Sequence, residues 1–247
     1  MEAGTVKQGG LTIRRTAHEI KVFRTAKKLV PLGCGLAALV LIVGYVISVL
    51  YMRFGAFTVM INKYDQLDYA LALSESSTFS TYTAHLNADI DEKITNISVD
   101  WLPTWLDNVD GEHNGDNYVA YTFYCKNMGV NTVDYTYELY IANMSLEIER
   151  AVRIRLYVDG EYVDYAYART DGGEGPEPGT TMFQSGNTVV KKTIKDFKPG
   201  DITKYTVVIW LEGDDPECVD KILGGQLKVD MAMSIVREES EIPRSQP

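Results

Sequence analysis

The densest concentration of chemistry-bearing side chains is the stretch from Asp107 to Asn117, where four carboxylates (Asp107, Asp110, Glu112 and Asp116) and three amides fall within eleven residues. Hard oxygen donors of this kind suit Ca²⁺. The spacing is not that of an EF-hand, and Asp110-Gly111 and Asn114-Gly115 are also ordinary turn formers. Two readings therefore stand, a solvated acidic loop and a calcium site, and the solvated loop is the simpler. A second acidic patch, Glu212, Asp214, Asp215, Glu217 and Asp220, reads as helix capping plus solvation. Zinc chemistry of the helical type needs two histidines at i and i+4 with a glutamate between them, so that both imidazoles share one face. His18-Glu19 is followed by Val22 where the second histidine belongs, and His113, preceded by Glu112, has Val109 in the place an inverted motif would need. His85 sits in no such frame. A Gly-x-Ser-x-Gly elbow, a phosphate loop and a Cys-x-x-Cys pair are all missing from the sequence.

Cys125 falls on the apolar side of an alternating segment and Cys218 in a candidate helix, while Cys34 lies in an uncharged run. Outside a membrane Cys125 and Cys218 form a disulfide candidate, which the chain-entropy model values at roughly 4 to 5 kcal/mol for so long a loop. Two buried thiols are the simpler expectation. Trp101, Pro103 and Trp105 form an aromatic cluster that either plugs one end of a sheet structure or contacts a carbohydrate or partner; the plug is expected. Trp210 lies opposite the fully apolar face of its segment, so it belongs outside the main core, beneath a loop.

The elements that must position these groups are of two kinds. Residues 29–51 carry no charge, and as a helix they would extend about 35 Å at about 1.5 Å per residue, enough for a hydrocarbon core of about 30 Å. Residues 1–28 hold seven basic against two acidic side chains, a net of +5 that leaves −15 on the rest of a chain whose total is −10. The basic flank predicts a cytoplasmic tail (1–28), an uncleaved transmembrane helix (29–51) and an external C-terminal part. The acidic external part disfavours nucleic acid as a partner. The lipid bilayer is the first expected partner.

Beyond Arg53 the pattern changes to period-2 alternation, as in Leu227, Val229, Met231, Met233 and Ile235 against Gln226, Lys228, Asp230 and Ser234. Similar segments at 118–125, 133–141, 152–158 and 205–211, with Asp159-Gly160 as a hairpin turn, predict an all-β, antiparallel, jelly-roll-like β-sandwich. Its core is expected over 107–236, after a linker and first strands at 52–106 and before a disordered tail at 237–247. Short helices are expected at Asp215–Gly224, capped by Asp215 and started by Pro216, and around Ser145–Arg150.

The segments Asp110–Tyr124, Glu149–Tyr157, Phe197–Asp201 and Lys204–Cys218 resemble membrane-anchored surface proteins of Gram-positive bacteria, which are similar to the TasA/camelysin family of biofilm matrix proteins. The match covers residues 107–235. The resemblance implies an extracellular jelly-roll domain and, for TasA-like members, assembly by strand donation between subunits. Camelysin implies metallopeptidase activity as an alternative, and a calcium-sensitive ligand-binding module is a third. The expectation is a cell-surface structural or binding protein, not an enzyme, that self-assembles or meets other surface proteins through edge strands. Phe57, Val59 and Ile61, in the first external strand, are the residues expected to be donated or docked.

Overall fold

The alternating segments of the sequence are strands in the computed structural model, which describes residues 35–45, 57–61, 71–88, 94–169, 173 and 175–236. Thirteen strands follow one another: β1 (Phe57–Ile61), β2 (Leu71–Ser74), β3 (His85–Ala88), β4 (Asn96–Ile97), β5 (Gly111–Glu112), β6 (Tyr118–Asn127), β7 (Val133–Met144), β8 (Val152–Val158), β9 (Glu161–Ala166), β10 (Thr181–Met182), β11 (Thr188–Phe197), β12 (Ile202–Glu212) and β13 (Leu227–Ile235). One sheet has the order β11-β7-β13-β1-β3 and the other β10-β9-β8-β12-β6-β2, with β4 on β12 and β5 on β6. The inward residues of both, among them Val119, Phe123, Tyr135, Leu139, Ile154, Val207 and Met231, merge into one buried cluster, so the fold is an all-β sandwich. Each such aliphatic side chain contributes about 1.5 to 3 kcal/mol by leaving water. Asp159 and Gly160 both adopt positive φ, 51° and 91°, as the tight turn between β8 and β9 requires.

The expectation of purely antiparallel sheets needs correction. β1 runs parallel to β13, with Phe57 opposite Val229 and Ile61 opposite Met233, and antiparallel to β3 on its other side. Two short pairs, β10 with β9 and β4 with β12, are parallel as well. The physical reason is connectivity: β1 and β13 lie far apart in sequence, so no hairpin dictates their relative direction.

The helix expected at 215–224 is also absent. Asp215 does cap a turn, its Oδ1 accepting the Glu217 N–H at 2.8 Å. Only a three-residue 3₁₀ turn, Asp220–Ile222, follows. Ten residues interrupted by β-branched Val219 do not meet the cost of α-helix nucleation. Near 145–150 the element is likewise a 3₁₀ turn, Ile148–Arg150, entered through Leu146 and Glu147 at positive φ.

The chain divides into two units, Met1–Met52 and Arg53–Pro247. In the first, residues 35–45 are helical, with every residue exposed. Among the described residues no helix is long and apolar enough to cross a membrane; the remainder of the expected 29–51 span, the tail at 1–28 and the C-terminal segment 237–247 lie outside the described residues, as does Cys34.

Candidate functional site

The acidic loop closes over the outward face of the β6–β12 sheet. It is held there by a second, smaller core of Leu102, Leu106, Tyr118, Ala120, Tyr157, Val208 and Trp210. Trp210 is thus buried beneath a loop, away from the inter-sheet core, as its place in the alternation predicts. Glu212, itself buried, accepts the Trp210 Nε1–H at 3.0 Å and the Val99 N–H at 3.1 Å, tying the loop to the end of β12.

The loop carboxylates have separate local partners. Asp107 accepts the Thr206 hydroxyl at 2.6 Å and lies 3.4 Å from the Lys204 ammonium. Asp110 accepts the Tyr124 hydroxyl at 2.5 Å. Burial first, and then that bond, push the Tyr124 hydroxyl up to about 12. Glu112 accepts the Asn114 amide at 2.8 Å. Asp116 is exposed. Among the described residues, the one grouping of three ligand-type side chains within 4.8 Å is elsewhere, so these four do not converge as a calcium cage would. They read as a clasp. We expect Asp110→Ala together with Asp116→Ala to leave the response of the melting temperature to 1 mM CaCl₂ unchanged, because an ion that these carboxylates do not hold cannot stabilise the native state through them; calorimetric scans of parent and variant with CaCl₂ and with EGTA check this.

His113 is part of the same clasp. Its Nδ1 lies 2.9 Å from the Gly111 carbonyl oxygen and its Nε2 2.9 Å from that of Leu106. Both ring nitrogens thus face backbone acceptors. His85 is exposed on β3.

The two cysteines are free thiols, so the disulfide candidate is not formed. Cys125 is fully buried between the sheets, where burial pushes its thiol well up. Cys218 is half-buried beside Asp215, Glu212 and Asn96. The Trp101 and Trp105 plug is likewise corrected: Trp101 is 79% exposed and Trp105 48%, while the leucines next to them fill the small core.

Phe57, Val59 and Ile61 are all buried, and Phe57 packs its ring 5.9 Å from Tyr121 and 6.3 Å from Phe123. They lie in an interior strand, not an edge. The edges proper are short or charged: β2 and β3 have four residues each and β10 two, while β11 carries Lys191, Lys192 and Lys195 exposed. Short and lysine-bearing edges resist addition of a further strand.

One grouping escaped the sequence. Glu177, Asp215 and Glu217 bring carboxylate oxygens within 4.8 Å of one another, and buried Arg153 ion-pairs with Asp215. Burial first, and then a hydrogen bond with Glu217, raise the Asp215 carboxyl to about 6 against the opposing pull of Arg153. The available signal was an arginine between Val152 and Ile154 in a strand. Its buried partner lay some sixty positions away, beyond the reach of local patterning.

No family model and no curated protein sequence matches the chain. Solved structures with a partial likeness include a GH31 α-xylosidase from Xanthomonas citri (15% identity, 49% of this chain and 9% of that one, TM-score 0.24). A β-glucosidase from Kluyveromyces marxianus in complex with glucose shares 15% identity over 53% of this chain and 14% of that one, with a TM-score of 0.27. The N-terminal domain of PorA shares 7% identity over 67% of this chain and 96% of that one, with a TM-score of 0.22. The chain thus spans a small fraction of the two enzymes' lengths.

Proposed function

We propose that the chain is a single-pass surface protein, anchored by residues 29–51 with its basic tail in the cytoplasm, whose jelly-roll-like sandwich acts outside the cell by binding or self-assembly and not by catalysis. The observation that carries this reading is the place of β1. The first described strand after the uncharged run is inserted between β13 and β3, and its inward side chains complete the core. A strand that joins the rest of the fold only through backbone pairing and side-chain pockets can be supplied by a second copy with every contact retained. The blunted edges direct self-association toward such exchange and away from simple edge addition, so the edge-strand expectation narrows to β1.

Support for the anchor comes from residues 35–45, where Leu36, Leu39, Leu41 and Ile42 are each more than half exposed. A helix with apolar side chains exposed all round is stable where its surroundings are apolar. The metallopeptidase alternative is less favoured, since His113 faces two carbonyl oxygens and, among the described residues, neither His85 nor His113 joins a group of three ligand-type side chains. The anchor is tested by expressing the full chain in bacteria and extracting membranes with alkaline carbonate, followed by protease treatment of intact cells. Retention in the pellet with cleavage of the C-terminal domain from outside is expected. Release into the supernatant, or protection of that domain, would contradict the proposal.

A further inference from the structure

A segment whose sole task was to cover the β6–β12 sheet would turn its largest rings inward, because an indole buries more apolar area than an isobutyl group. The segment from Val99 to Asn108 does the reverse. Leu102 and Leu106 are 7% and 0% exposed, whereas Trp101 and Trp105 are 79% and 48% exposed. The backbone that carries these rings is fixed at several points: Val99 N–H on the buried Glu212, Asp107 on Thr206, and the Leu106 carbonyl facing His113 Nε2. The Trp105 ring also lies against the His113 ring, with centroids 6.4 Å apart. Two exposed indoles on so anchored a backbone lose little freedom when something stacks on them.

We propose that Trp101 and Trp105 form a stacking platform for a neutral polysaccharide. A pyranose ring offers a C–H face to an indole and hydroxyl groups around its rim. The exposed residues between and beside the two rings, Asp100, Thr104 and Asn108, are hydrogen-bonding groups suited to those hydroxyls. The apolar side chains beside the rings are small, Val99 at 38% exposure and a half-buried Pro103, less than the dry centre of a protein interface requires. The excess of acidic residues outside the N-terminal tail opposes anionic polymers and anionic headgroups.

The test uses the full chain in a detergent without a sugar headgroup, titrated with cellohexaose and followed by tryptophan fluorescence and calorimetry. Saturable binding is expected, with Trp101→Ala and Trp105→Ala each weakening it by about tenfold, roughly 1.4 kcal/mol. The double alanine variant is expected to bind undetectably, and Trp105→Phe to stay within about threefold of the parent, because the phenyl face still stacks. Both rings are exposed, so the melting temperatures of the variants serve as the folding control. Absence of saturable binding by the parent chain, undiminished binding by a folded double variant, or the same fluorescence change elicited by phosphatidylglycerol vesicles and not by the sugar would overturn the proposal.

Discussion

Arg153→Met is expected to lower stability by about 3 to 5 kcal/mol at pH 7, the cost of breaking a buried ion pair from one side. Arg153 is 3% exposed and Asp215 7%, and the guanidinium also donates to the Val152 and Arg150 carbonyls at 3.2 and 3.3 Å. Removing it strands Asp215 next to Glu177 and Glu217 with its own ion-pair partner gone, leaving Arg169, partly exposed and 3.7 Å from Glu177, as the cation beside the group. The pH dependence gives the prediction its signature. In the native chain the folded Asp215 carboxyl keeps its proton up to about pH 6, whereas an unfolded aspartic acid releases it near 4. Its raised affinity therefore contributes stability below about pH 4, and that contribution is lost as the pH climbs through about 6. In the variant the carboxylates lack the arginine, and their neutralisation at acid pH relieves the repulsion. Urea melts at pH 4 and pH 7 should show the penalty of Arg153→Met much reduced at pH 4. An equal loss at both would show that the arginine acts through packing alone.

Phe57→Ala should cost a similar amount, about 3 to 5 kcal/mol, by leaving a cavity beside the rings of Tyr121 and Phe123. Phe57 is 1% exposed and Val59 0%, so β1 is as much a part of the core as any central strand. The same substitution bears on assembly. If copies exchange β1, a strand that fits its groove less well weakens intermolecular as well as intramolecular docking. Phe57→Ala should then lower the melting temperature and the fraction of oligomer in parallel, as read by scanning calorimetry and sedimentation. A large loss of stability with no change in oligomer fraction would separate the strand from assembly.

The sandwich was legible because its strands alternate cleanly. Leu227 to Ile235 and Val133 to Ile141 give their inward faces away residue by residue. Trp210 was legible for the same reason, since it falls on the opposite parity to Val207 and Ile209. What escaped the sequence was long-range or at an irregular loop. The parallel docking of β1 beside β13 joins the first and last strands of the domain, and no local pattern encodes that neighbour. The tryptophans of the 99–108 segment were misassigned because hydrophobicity alone ranks indole above leucine, whereas the 3₁₀ turns Val99–Trp101 and Leu106–Asn108 leave Leu102 and Leu106 as the side chains buried against the sheet. The acidic loop read as a solvated loop, with a calcium site as the alternative, because its partners, Thr206, Lys204 and Tyr124, stand on two other strands. The helix at 215–224 failed because capping and proline signals mark where a helix would begin without supplying enough length to sustain one.

The most direct test of strand exchange uses the register of β1 on β13, in which Met60 stands opposite Ala232. Adjacent positions in neighbouring strands bring Cα atoms within the range a disulfide spans. Full chains carrying either Met60→Cys or Ala232→Cys, with Cys34 and Cys218 replaced by serine, are co-expressed and oxidised mildly in the membrane. Exchange predicts a covalent heterodimer joining the two variants, weakened when Phe57→Ala is added. A cross-link that forms only within a chain carrying both cysteines, and never between chains, would contradict assembly through β1.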